Sequence, residues 1–160
     1  MNYYKYDLTK DESSTIFNFV SVGIKGSFRK VVAYTPTKNP SIYNLCFGNL
    51  KYAPSIKKYI IDDQVINDNG DIRIVLATVA QTVYEFTKTN PEIAVFFKGS
   101  DVRRTNTYKR VIMLNLEELS ETFDIFGARI IDNEQIIDEP FDYTKDFDGF
   151  LIKRKKIWNV

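Results

Sequence analysis

Ile16-Phe17-Asn18-Phe19-Val20-Ser21-Val22, then Gly23-Ile24-Lys25-Gly26, then Phe28-Arg29-Lys30-Val31-Val32-Ala33-Tyr34 is the stretch that sets the architecture. Two runs rich in β-branched and aromatic residues flank a glycine-bounded turn, the pattern of a β-hairpin. Pro36-Thr37-Lys38-Asn39-Pro40 breaks the chain next, and Ile42-Tyr43-Asn44-Leu45-Cys46-Phe47 reads as a third strand closed by Gly48-Asn49. The first third is thus an antiparallel meander.

Downstream the period changes. Residues 51–70 are irregular and predict a short strand or helical turn, then a loop. Asp71 is placed to cap a helix whose apolar stripe is Ile72, Leu76, Val79, Ala80, Val83 and Phe86, stopped by Asn90-Pro91. Ile93-Ala94-Val95-Phe96-Phe97 is a continuous apolar run, as expected of a central strand covered on both faces. Gly99-Ser100-Asp101 opens a second helix with the stripe Tyr108, Ile112, Leu116 and Leu119, ending near Glu121. Phe123 to Ile131 and Phe150 to Ile152 read as two further strands, separated by an acidic stretch. The order β-β-β-α-β-α-β-β predicts an α+β fold, a mostly antiparallel sheet with two helices packed on one face, as a single domain over residues 1–160.

Composition limits the chemistry. The 160 residues contain no histidine, which removes Ser-His-Asp and Cys-His triads, imidazole acid–base catalysis and His-ligated zinc. One cysteine, Cys46, makes neither an internal disulfide nor a thiolate cage, and its place between Leu45 and Phe47 predicts a buried, inert thiol. The net charge is +1, so any electrostatic site must be local. The N-terminus lacks the features of a secretory signal, and no apolar run is long enough to cross a membrane. The expectation is a cytoplasmic protein without a membrane partner.

Gly99-Ser100-Asp101-Val102-Arg103-Arg104-Thr105-Asn106-Thr107-Tyr108 is the sharpest constellation. It joins a strand to a helix N-terminus, where free backbone N–H groups and the positive dipole end suit an anion. At about 100° per residue Thr105, Tyr108 and Ile112 share the buried stripe, Arg104 flanks it, and Arg103 and Arg110 face away. Gly99, Ser100, Arg104, Thr105 and Tyr108 are therefore the candidate ligand-binding residues. The competing reading is structural: a turn glycine, a cap, and Arg104 paired with an acid such as Asp101.

Other features read as scaffold. The Gly-Ser after a strand suggests a nucleotidyltransferase only if a metal-binding Asp pair follows closely, and none does before Asp124. Asn67-Asp68-Asn69-Gly70-Asp71 fails as a calcium loop, because aligning Gly70 to the sixth position puts Val65 first and Leu76 twelfth. The acids from Asp132 to Asp148 are interleaved with Ile136, Ile137, Phe141, Tyr143 and Phe147, which suggests a folded, solvated rim. Lys153-Arg154-Lys155-Lys156, with Trp158 beyond, either contacts phosphates and bases or solubilises a sheet edge. Arg103, Lys109, Arg110, Lys153 and Arg154 form the candidate nucleic-acid surface, expected to bind weakly and to release with salt. No catalytic residue, metal or cofactor is assigned.

The runs Ile42 to Leu50 and Val75 to Val83, then Gly99-Ser100 with Arg104-Thr105 and Tyr108, resemble an uncharacterised family of small bacterial proteins with a Gly-Ser-x-x-x-Arg-Thr-x-x-Tyr element. Phe150-Leu151-Ile152-Lys153-Arg154-Lys155 fits it too, whereas Thr107 stands where members usually carry leucine. The resemblance implies a complete domain and no particular activity. The expected function is a non-catalytic binding or regulatory protein that recognises a phosphate-bearing ligand or a protein partner at the Gly99–Tyr108 junction. The alternatives are a small enzyme acting on phosphodiester or nucleotide substrates, with Arg104, Tyr108 and Asp101 or Asp71 in its chemistry, and a structural subunit pairing through a sheet edge. Oligomeric state is left open.

Overall fold

A computed structural model describes residues 4–63, 68–132 and 135–156. The chain divides into two compact units, Met1–Thr35 with Asn44–Thr89 and Pro36–Tyr43 with Asn90–Val160.

The first unit is built on the hairpin. Strands β1 (Thr9–Lys10), β2 (Ile16–Gly23), β3 (Gly26–Pro36), β4 (Ile42–Ala53) and β5 (Lys58–Asp62) run in the order β1-β2-β3-β4, with β5 alongside β4. The β2–β3 register is antiparallel from Ile16↔Ala33 to Gly23↔Gly26, leaving Ile24 and Lys25 as a two-residue turn. Gly26 takes φ +114°, a conformation that side chains resist. Alternation along β2 buries Phe17, Phe19 and Ser21 and exposes Ile16, Val20 and Val22. The buried face meets helix α1 (Ile72–Thr89): the Tyr34 ring stacks on Phe86 at 4.1 Å, and its hydroxyl pairs with Thr82 Oγ1 at 2.8 Å.

Asn69 ties the turn to the start of α1. It is 4% exposed, its Nδ2 donates to Gly26 O (2.9 Å) and Ser21 Oγ (3.1 Å), and its Oδ1 accepts from Lys25 N (2.7 Å). Its carbonyl accepts from Ile24 N at 3.2 Å. A Cβ on Gly23 would lie 2.0 Å from that carbonyl oxygen, so only glycine admits the approach.

The second unit carries β6 (Ala94–Phe97), β7 (Phe123–Ile131), β8 (Gln135–Pro140) and β9 (Gly149–Arg154) in the order β6-β9-β7-β8. All three of these pairings are antiparallel. Ala94 N also donates to Ser41 O at 2.9 Å, so the apolar run at β6 is flanked on both sides. Ile42, Ala94, Phe96, Ala128 and Leu151 form one core cluster of this unit. Helices α2 (Val102–Leu114) and α3 (Leu116–Thr122) belong here, and α2 seats Tyr108 edge-on against Phe97 with ring centroids 6.0 Å apart.

The fold class is α+β with a mostly antiparallel sheet, but the expected order and the count of two helices need correction. Nine strands and three helices occur among the described residues. The second helix breaks at Asn115, whose side chain donates to Val111 O at 2.8 Å, while the apolar spacing Ile112-Leu116-Leu119 runs on through the break. Helix α1 lies in the first unit, α2 and α3 in the second. Strand β8 lies inside the acidic stretch, and β5, the short strand of the two forms expected after residue 51, pairs with an extension of β4.

The α1 stripe is also rotated from expectation. Ile72 is 58% exposed, and the fully buried positions include Thr78, Thr82 and Thr87. Each threonine hydroxyl donates to a carbonyl of its own helix, to Ile74, Val79 and Val83 respectively, which removes the cost of burying it. Cys46 is half-buried rather than buried, with Sγ 3.9 Å from Thr35 Oγ1.

Candidate functional site

The Gly99–Tyr108 junction closes on itself through side chains from both ends of the turn. Asp101 caps α2, its Oδ1 accepting from Arg104 N at 2.8 Å. The Thr105 hydroxyl accepts from Gly99 N at 3.0 Å and lies 3.1 Å from Asp101 O. Gly99 is buried, and a Cβ there would stand 2.4 Å from Thr105 N and 2.5 Å from Arg104 Cβ, so the approach of strand exit to helix requires glycine. Thr105 is buried at 7% exposure, Arg104 is half-buried, and Arg103 and Arg110 are exposed, as the helical angle predicts, whereas Tyr108, expected on the buried stripe, is half-buried.

With the Asp101 carboxylate capping the helix, the Arg104 guanidinium has the Ser100 hydroxyl as a partner. Its Nη1 donates to Ser100 Oγ at 2.6 Å, which folds the side chain back over the beginning of the helix. The first backbone N–H groups of a helix have no intrahelical acceptor, so this cation stands among outward-facing donors. Arg104 and Tyr108 are four residues apart and share a face. The junction thus brings together a cation, a helix N-terminus and the negative charge of Asp101.

The other candidates are scattered. Lys109 is not on open surface: its side chain is 14% exposed, Nζ lies 3.3 Å from Asp146 and 3.2 Å from Lys145 O, and it sits 5.4 Å from the Tyr143 ring centre. Sequence reading had no means of pairing residues so far apart in the chain. Lys153 and Arg154 are half-buried at the end of β9, Arg154 lies over the Phe123 ring at 5.5 Å, and with Asp124, Lys155 and Lys156 they line an open depression. Trp158, and Val65 of the calcium-loop alignment, lie outside the described residues.

The acids of the rim have structural duties. Asp142 accepts from Thr144 N and Oγ1, which hold its carboxyl below the usual range. Asp148 Oδ2 accepts from Ile130 N at 2.8 Å, and Glu139 pairs with Arg129 at 2.9 Å. Among the described residues no group of acids and cysteine is gathered in a way that would hold a metal ion.

In the first unit, Asp71 is the acceptor of a small polar cluster. Its Oδ2 receives the Tyr6 hydroxyl at 2.7 Å and the hydroxyl of fully buried Ser21, which is bonded in turn to Asn69. Burial first, then the Asp71 carboxylate, push the Tyr6 hydroxyl above its ordinary pKa. Lys30, 8% exposed, donates to Asn49 Oδ1 and lies 5.9 Å from the Phe47 ring centre. The alternation Phe28, Lys30, Val32, Tyr34 is the signal that places this lysine on the inward face.

No helix among the described residues is long and apolar enough to cross a membrane. Comparison with curated proteins and with solved structures gives no match. A family profile of unknown function covers residues 2–155, nearly the whole chain, in agreement with the resemblance to an uncharacterised family. The chain belongs to the family of unknown function DUF6934.

Proposed function

We propose that this is a non-catalytic binding protein that receives a phosphate or similar anionic group of its ligand at the Gly99–Tyr108 junction. The observation that carries the reading is the Arg104–Ser100 hydrogen bond, which holds a half-buried guanidinium at the start of α2. A guanidinium and backbone N–H groups aimed at one place are a physical match for phosphate oxygens. Asp101 weakens the site by its charge while organising the helix. Affinity for inorganic phosphate is therefore modest, and Asp101→Ser, which caps without charge, strengthens it.

The test is thermal unfolding of the full chain in phosphate at fixed ionic strength. Binding to the folded state raises Tm in wild type, by more in Asp101→Ser, and not in Arg104→Ala. An equal rise in wild type and Arg104→Ala removes the site.

A further inference from the structure

The β4–β5 hairpin projects as an exposed arm. Lys51, Tyr52 and every residue from 54 to 60 are exposed, including Ile56 (56%) and Ile60 (40%). The cross-strand pair Tyr52↔Tyr59 holds two rings 5.2 Å apart on one face, 47% and 64% exposed. Lys51↔Ile60 and Ala53↔Lys58 lie on the other face by strand alternation, and Lys57 sits in the turn at φ 52°. Residues 51–60 contain three lysines and no acid. Lys51 has only a loose ion pair, 3.9 Å from Asp62, and keeps 62% exposure.

Large apolar side chains left exposed on this arm point to an occupant. Lysine is depleted from the cores of protein interfaces, and three lysines against the one acid Asp62 oppose a second copy of the same arm. Phosphates answer the lysines, and bases stack on half-exposed tyrosine rings.

We propose that the arm, through Tyr52, Tyr59, Lys51, Lys57 and Lys58, docks single-stranded nucleic acid. This surface is independent of the Gly99–Tyr108 junction. Three neutralised phosphates give a salt slope near −2, about a 20-fold loss of affinity between 50 and 200 mM salt.

The experiment is fluorescence anisotropy of labelled dT and U 20-mers titrated with the full chain. Lys57→Gln with Lys58→Gln should flatten the salt loss to about 3-fold, since one phosphate contact remains. Tyr59→Ala should weaken binding by at least about 5-fold with the slope unchanged, and Tyr59→Phe should restore it. The Tm rise in phosphate should be the same in Tyr59→Ala as in wild type, which separates this result from any failure at the phosphate site. Absence of binding at 50 mM salt by folded wild type overturns the proposal, as does binding indifferent to the arm variants. A dimer in light scattering that Tyr59→Ala dissolves also overturns it, making the arm a self-association element.

Discussion

Replacing Gly99 with alanine tests how the junction is held together. The added methyl would meet Thr105 N at 2.4 Å, Arg104 Cβ at 2.5 Å and Arg104 C at 2.7 Å, two of which are backbone atoms of the first turn of α2. No side-chain rotation relieves a clash with backbone, so the strand exit and the helix must separate by about an ångström. Overpacking of this kind costs about 1–3 kcal/mol. The separation also stretches the buried Gly99 N–Thr105 Oγ1 bond of 3.0 Å, adding about 1–3 kcal/mol for a donor left short of its acceptor. The sum, about 2–6 kcal/mol, is a large share of the stability of an ordinary domain. Urea unfolding followed by far-ultraviolet circular dichroism reads it as a fall in midpoint at constant slope. Ser100→Ala is the control, removing an acceptor without a clash and costing about 1 kcal/mol. A Gly99→Ala variant within about 0.5 kcal/mol of wild type would refute the close approach and the placement of Arg104 that depends on it.

Three further outcomes follow from single contacts. The Asp11 carboxyl is held at about 2 chiefly by the Ile16 N–H, with Ser13 and Thr15 adding donors, so its contribution is complete above about pH 4 and is lost as pH falls toward 2. The Tm deficit of Asp11→Asn should shrink over that window, its size at neutral pH being under about 1 kcal/mol because solvent screens so accessible a group. Tyr34→Phe should cost only about 1 kcal/mol, since Thr82 keeps its bond to Val79 O, whereas Tyr34→Ala empties the stack on Phe86 and should cost about 3–5 kcal/mol in denaturant titration. Lys57→Gly should raise the unfolding midpoint by up to about 1 kcal/mol, because glycine adopts the left-handed φ of 52° without steric cost; a loss would show that the lysine is held there by contacts.

What could be read from the chain was what buries an alternating or a continuous apolar pattern. The β2–β3 hairpin, β6, and β7 from Phe123 to Ile131 follow from side-chain period and glycine placement. For β5 the sequence left strand and helical turn open, because Tyr59 and Ile60 are both exposed and give no inside-to-outside contrast. The α1 face was misjudged because threonine was counted as polar, although back-bonded hydroxyls at Thr78, Thr82 and Thr87 make it a core residue here. In the junction, spacing placed Arg104 at the flank and Thr105 inside. It did not reveal that Ser100 receives the guanidinium, since that depends on how the side chain folds back over the first turn.

Asn69 gives the first unit an order of events. The hairpin turn closes between near neighbours in sequence, but the bonds that Asn69 makes to it span 43 to 48 positions, so they form only after a long loop has closed. The amides of Ile24 and Lys25, at a turn tip where exchange with solvent deuterium is ordinarily fast, are both donors to this one residue. Asn69 is two residues from Asp71, where α1 begins, so those amides open when the helix start lifts rather than when the strands part. Their exchange rates therefore clock the undocking of α1 from a hairpin that itself remains formed.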